Sequence, residues 1–252
     1  MPLTLMAVLA ACVLATSFLS GVFGIAGGMI LIGVLFLMMP VPEAMALHAV
    51  TQLSANGWRA LLWWRYIRLR SAMGYLAGSF VALVLWSVIS YVPDKAVAML
   101  LLGAMPFAVR ALPPRFKPDA ARIDHGLLYG ALCMSAMLLT GVVGPLIDTF
   151  FLGGKLDRRE IVATKAFCQV AGHSAKLVYF TTFAAQATVD STLMIVAITC
   201  SIVGTTVARR FLEAMSDKQF RTWTWRIVTA VSGFYVLQGI YLLAVPVLEA
   251  AP

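Results

Sequence analysis

The sequence predicts an all-α polytopic membrane protein of two inverted-topology repeats, each of about five apolar segments, with two broken or re-entrant hairpins. Composition, the length of the apolar runs and an internal repeat lead there. Hydrophobic residues fill 61% of the 252 positions and charged residues only 12%, with mean hydropathy +0.90. A soluble domain is about half apolar and a quarter charged. A chain of this size hides so much apolar surface only in lipid. The runs "SAMGYLAGSFVALVLWSVISYV" (71–92) and "RIVTAVSGFYVLQGIYLLAVPVL" (226–248) are continuous rather than alternating. They are long enough to cross about 30 Å of hydrocarbon as helices, and they lack the dyad pattern of a barrel strand.

Taken in order, the N-terminal "MPLTLMAVLAACVLATSFLSG" lacks the basic leader of a signal peptide and reads as the first membrane segment. Segment 3–40 has a long apolar arm, a glycine break and a shorter arm. Single spans follow near 43–64, 71–92 and 95–110. After a polar loop, 126–154 repeats the broken arrangement, and its second arm "LIDTFFLGG" (146–154) is too short to cross. Spans near 160–181, 190–209 and 222–246 complete the chain. The division expected is a first transmembrane repeat over 1–110, a cytoplasmic connection over 111–125, and a second repeat over 126–252. Whether each hairpin crosses fully or only re-enters, it returns the chain to its starting side.

Charge orients the weave. Basic residues cluster at Arg65, Arg68 and Arg70, then at Arg110, Arg115, Lys117 and Arg122. Later clusters are Lys155, Arg158 and Arg159, then Arg209, Arg210, Lys218, Arg221 and Arg226. The turns at 91–96 and 181–190 carry almost no positive charge. Placing every basic cluster in the cytoplasm leaves both termini outside. The net charge of +8 is thereby explained without nucleic acid. Cys12, Cys133, Cys168 and Cys200 lie in apolar segments without CxxC spacing, so neither a disulfide nor a zinc framework is expected.

The halves align with each other. "LSGVFG" (19–24) matches "LTGVVG" (139–144), and "EAMALHAVTQLSANGWRA" (43–60) matches "EIVATKAFCQVAGHSAKL" (160–177). The second match pairs His48 with Lys165, Gln52 with Gln169, Asn56 with His173 and Arg59 with Lys176. By the weave, the first of these helices runs inward and the second outward. An inverted repeat is the arrangement of secondary transporters, which bind near the midplane where broken helices meet.

The paired helices supply the candidate site. His48, Gln52, Asn56 and Arg59 are spaced 4, 4 and 3 apart, and Lys165, Gln169, His173 and Lys176 repeat that stripe. Ionisable groups at membrane depth cost a few kcal/mol and usually face a cavity or a partner. Two stripes of donors without a carboxylate suit an anion. Polar contacts between helices are the competing account, and snorkelling to the cytoplasmic interface explains Arg59 at least as well. Glu43 and Glu160 sit at helix starts, where an acid favours the dipole. Asp148, in the short second arm, is a candidate for a coupled proton, for a partner of Lys165 or His173, or for a helix cap. His125, beside Asp124, reads as a solvated interface residue. Gly24, Gly27 and Gly28 break the first hairpin, where backbone N–H groups at a half-helix N-terminus can face an anion. A GxxxG spacing from Gly24 to Gly28 for close helix packing is the plainer account.

"SGVFGIAGGMIL" with "EAMALHAVTQLSANGWRA", and "TGVVGPLIDTF" with "EIVATKAFCQ", resemble the sulfite exporter TauE/SafE family of bacterial membrane transporters. The family's usual glycine triplet is reduced to Gly27-Gly28, Pro145 follows Gly144 in the second half, and the Ala-Thr pair reads Ala46-Leu47 in the first half. The resemblance implies a secondary transporter in the bacterial inner membrane. It would carry sulfite, a sulfonate or a related organosulfur anion, by alternating access, with proton coupling or down the substrate gradient.

No cofactor is expected, and no P-loop is present to spend ATP. A transition-metal transporter is the alternative, from His48, His173, Cys168 and the methionines. A less favoured one is an intramembrane hydrolase with His173 as base and Ser20 or Ser232 as nucleophile, neither of which has a GxSx setting.

Overall fold

The computed structural model describes residues 3–23, 25–113, 118–152 and 156–249, and every regular element among them is helical. Helices α1 (Leu3–Phe23) and α2 (Ile25–Met38) form the first broken pair. Then come α3 (Val41–Leu62), a 3-10 turn at Trp64–Tyr66, α4 (Leu69–Ile89) and α5 (Lys95–Ala111). The second half has α6 (Ile123–Thr140), α7 (Gly144–Leu152), α8 (Arg158–Val178), a π-helical turn at Tyr179–Phe183, α9 (Ser191–Ala214) and α10 (Asp217–Glu249). Gly24, Arg115, Lys117 and Lys155 lie outside the described residues.

Local chemistry sets the helix ends. Pro42 in the first turn of α3 suits a position whose N–H needs no partner. At the start of α8 the Asp157 side chain accepts from the Arg159 and Glu160 amides while Glu160 reaches back to the Asp157 amide, a capping box. The expectation that Glu160 serves the helix start is met by that geometry. Glu43 lies in the first turn of α3, but one of its oxygens is buried without a hydrogen-bond partner. Helix α6 stops at Gly141, whose φ of 82° is the left-handed C-terminal conformation that suits glycine. The turn into α7 follows at once.

Among the described residues five helices are long and apolar enough to cross a membrane: those covering Thr4–Phe23, Leu69–Ile89, Ile123–Thr140, Ser191–Phe211 and Thr222–Ala244. Helices α3 and α8, expected as spans near 43–64 and 160–181, are of spanning length at 22 and 21 residues but too polar to join that set. They pack on each other, with α9 against α3 and α4 against α8. Their polar stripes therefore face protein, and the apolar helices around them face outward through residues such as Phe80, Val88, Ile195 and Leu237. At nine residues, about 13 Å, α7 is far too short to cross.

The helix contacts pair off between the two halves of the chain. Matching α1–α5 with α6–α10 in order, α1 on α9 has its counterpart in α6 on α4, and α2 on α10 in α7 on α5. Contacts of α3 with α8 and of α5 with α10 map onto themselves. Small residues permit the closest approaches: Gly74 and Gly78 of α4 meet Gly126 and Leu127 of α6, and Gly204 of α9 meets the Leu14 carbonyl of α1. Helices α3 and α8 run antiparallel. His48, near the start of α3, bonds Lys176 near the end of α8, whereas Arg68, just past the end of α3, bonds Glu160 and Thr164 at the start of α8.

Two clusters make the core. The larger gathers Leu9, Met29, Leu35, Met45, Met99 and Tyr235 between the first hairpin and its neighbours. The smaller packs Tyr75, Tyr129, Cys133, Cys168, Phe150 and Phe151 around α7. All four cysteines are free, and Cys133 and Cys168 are buried in that aromatic cluster. Their role as small hydrophobes is as the sequence implied.

Candidate functional site

A cavity lies between the two broken hairpins and the α3–α8 pair, with about 430 Å³ of empty space including its mouth. Helix α3 contributes His48, Gln52, Asn56 and Arg59, and α8 contributes Lys165, Gln169 and His173. Ser20 and Gly28 line it from the first hairpin; Val142, Val143 and Gly144, at the start of α7, line it from the second. The 4-4-3 spacing explains the convergence, because each stripe keeps one face of its helix and the two helices run past each other.

Among the described residues the lining has no carboxylate and two cationic side chains, Arg59 and Lys165. Arg59 donates to Asn56 Oδ1 at 3.2 Å and to the Ser20 carbonyl at 3.4 Å. Arg59 is thus part of the cavity lining. Lys165 Nζ lies 2.6 Å from Asp148 Oδ1, and both side chains are mostly covered, at 18% and 23% exposure. Asp148 thus takes Lys165 as its partner and stands behind the lining rather than in it.

Lys176 is placed differently from the expectation for a lining residue. It is fully buried and does not line the cavity. Its ammonium donates to His48 Nδ1 at 2.8 Å and to the Gly141 carbonyl at 2.9 Å. An ammonium has only donors, so His48 Nδ1 is the acceptor and its Nε2 carries the hydrogen. That hydrogen goes to the Gly28 carbonyl at 3.0 Å. One tautomer satisfies both bonds and holds the imidazole at the cavity wall.

The glycines divide as well. A Cβ on Gly27 would overlap the Thr16 carbonyl and the Ser20 amide of α1, so Gly27 serves the close packing of the first hairpin and does not line the cavity. Gly28 does line it, and a Cβ there would meet the Gln52 amide at 3.4 Å.

His173 is the most informative member. It is 2% exposed, its ring centroid lies 5.7 Å from that of His48, and Nδ1 is buried with no hydrogen-bond partner. Buried polar atoms are nearly always satisfied, so an orphaned imidazole beside a cavity marks a place for a missing partner. The Gln169 side chain also makes no hydrogen bond among the described residues, and its amide is free for the same cavity.

Sequence reasoning named Ser20 only as a possible nucleophile and left the 142–144 turn out of the site. The pairing of "LSGVFG" with "LTGVVG" contained the signal, since both segments immediately precede a short helix. Among the described residues no group of three or more His, Cys, Asp and Glu could hold a metal ion. Cys168 belongs to the aromatic cluster and does not line the cavity. His125 accepts from the Asp119 amide at 2.9 Å, far along the chain from the stripes.

The family model described as Sulfite exporter TauE/SafE matches residues 8–235, nearly the whole chain. Neither a curated protein nor a solved structure matches it.

Proposed function

We propose, from the premise that the chain belongs to the sulfite exporter TauE/SafE family, that it is a secondary transporter whose central cavity binds a small oxyanion. The family is one of membrane transporters and not of enzymes. The observation that carries the reading is the His173 imidazole, buried without a partner in a cavity whose charged lining residues are Arg59 and Lys165. Charge-assisted hydrogen bonds from a guanidinium, an ammonium and amides are the strong donors for an oxyanion. The same two cations disfavour a transition-metal ion. Sulfite is the substrate of choice from the family, with sulfonates next.

In this reading the halves over 1–110 and 126–252 form an inverted repeat, and the chain works by alternating access about its central cavity. The antiparallel α3–α8 pair and the matched helix contacts support that. The membrane is the bacterial inner membrane, with basic clusters inside and both termini outside. Arg110 against the Trp225 ring at 5.1 Å, and Arg159 against Tyr66 at 5.5 Å, are the aromatic and basic contacts expected at one interface. Asp148 is the candidate for proton coupling, because protonating it releases Lys165 to the anion.

The test is flux in sealed vesicles. Lys165→Ala and His173→Ala should each lower sulfite transport about 10- to 100-fold, the cost of a lost charge-assisted bond, while the protein still inserts. Flux like the native chain's in both variants overturns the assignment.

A further inference from the structure

We infer that Lys176 and His48 form a second anion half-site, open in the opposite-facing state and closed in this one. This rests on the transporter reading and extends it to residues outside the present charged end of the cavity.

The repeat register pairs Arg59 with Lys176 and His48 with Lys165. In an antiparallel pair of related helices, the contact of Lys176 with His48 therefore has as its counterpart the juxtaposition of Arg59 and Lys165. The first pair is bonded to itself, Lys176 Nζ to His48 Nδ1 at 2.8 Å, and of the two only the imidazole reaches the cavity while the ammonium is shut away. The second pair lines the cavity. One arrangement thus occurs twice, once shut and once open.

The surrounding bonds repeat as well. Arg59 donates to the Ser20 carbonyl in the last turn of α1, and Lys176 donates to the Gly141 carbonyl just past α6. Carrying the hairpin alignment past Gly144 pairs Gly28 with Asp148. These are the partners of His48 and Lys165, through the Gly28 carbonyl and the Asp148 carboxylate. Each half thus ties its stripe to the short helix of its own hairpin and its last cation to the end of the long arm.

Lys176 also asks for an anion on its own account. It is 0% exposed, and its hydrogen-bond partners are an imidazole and a carbonyl, with no carboxylate. Burying a charge at membrane depth without a counter-charge is expensive, and such residues mark transport pathways. Exchange of the two halves between conformations would open Lys176 and His48 to an oxyanion while Arg59 and Lys165 close.

The test separates the two faces of the membrane. With oriented vesicles, the sulfite concentration giving half-maximal flux is measured from each side for Arg59→Gln, Lys165→Gln and Lys176→Gln. Lys176→Gln should raise it about tenfold from the outer face and less than about twofold from the cytoplasmic face, with Lys176→Arg restoring it. Arg59→Gln should show the reverse bias. An equal rise from both faces, or a lower maximal rate with unchanged half-saturation, overturns the second half-site and leaves the transporter standing. Unchanged half-saturation from both faces in Arg59→Gln and Lys165→Gln overturns the transporter site itself.

If Lys176→Gln does not insert, the native chain is acetylated by a membrane-impermeant succinimidyl ester during turnover, and lysines are read by mass spectrometry. Modification of Lys176 from the outer face supports the half-site, and its absence there contradicts it.

Discussion

The two ends of the α3–α8 pair carry related residues in different states. At one end the Lys176 ammonium bonds His48 and the Gly141 carbonyl and does not line the cavity. At the other, Arg59 and Lys165 both line the cavity and their charges reach it. All three cations bond acceptors of the protein itself; what differs is that Arg59 and Lys165 also line the cavity and Lys176 does not. A related asymmetry holds at Asn56 and His173, the aligned positions on the two stripes: Asn56 bonds the Gln52 carbonyl at 3.0 Å, while His173 keeps a buried nitrogen unpartnered. The two halves have matching helix contacts, and the proposed anion site lies where their aligned residues differ.

The first hairpin gives the harshest way to disturb this comparison. Gly27→Val should abolish folded protein, seen as loss of the monodisperse peak in detergent, because its side chain would fall on the α1 backbone. Gly28→Ala should fold and transport more slowly, since its methyl only touches Gln52. Loss of transport with normal assembly in Gly27→Val would return that glycine to the site.

Asp148→Asn comes next. It removes the partner of Lys165, the bond in the second half that answers the His48–Gly28 bond in the first. Acceleration of uptake by an imposed proton gradient should fall about tenfold while sulfite exchange continues, the effect of one charge-assisted bond. Equal loss of both would make Asp148 a structural partner only.

Smaller effects belong to residues outside the cavity lining. Gly141→Ala forces a left-handed residue and crowds Ile32 Cγ1 and Met45 Sδ, each at 2.9 Å from an added Cβ. The conformational part alone costs about 1–2 kcal/mol, so the unfolding midpoint should drop by a few degrees. The smallest change belongs to Arg68→Gln. Arg68 pairs with Glu160, but its side chain is 60% exposed, and exposed pairs contribute about 1 kcal/mol or less. Transport should change less than about twofold.

The legible part of this molecule was what periodicity controls. The helices, their order and the convergence of His48, Gln52, Asn56, Lys165, Gln169 and His173 follow from apolar run length and the 4-4-3 spacing. The roles of Gly27, Arg59 and Lys176 did not follow. They depend on which backbone lies opposite and which carbonyl is in reach, and those are set by tertiary approach across the chain. Spacing gives a side chain's face; it does not say whether that face meets a cavity or a bond.

The central claim is that an oxyanion binds in the cavity that His173 lines together with Arg59 and Lys165. Its most direct test is the thermal unfolding of purified protein titrated with sulfite, for the native chain and for His173→Asn, which gives position 173 the side chain of its counterpart Asn56. At about one hundred times its dissociation constant, a bound anion stabilises by about 2.7 kcal/mol, so the native midpoint should climb with sulfite and the variant's should climb much less. A native midpoint that no oxyanion raises, or an equal rise in both proteins, would contradict the account.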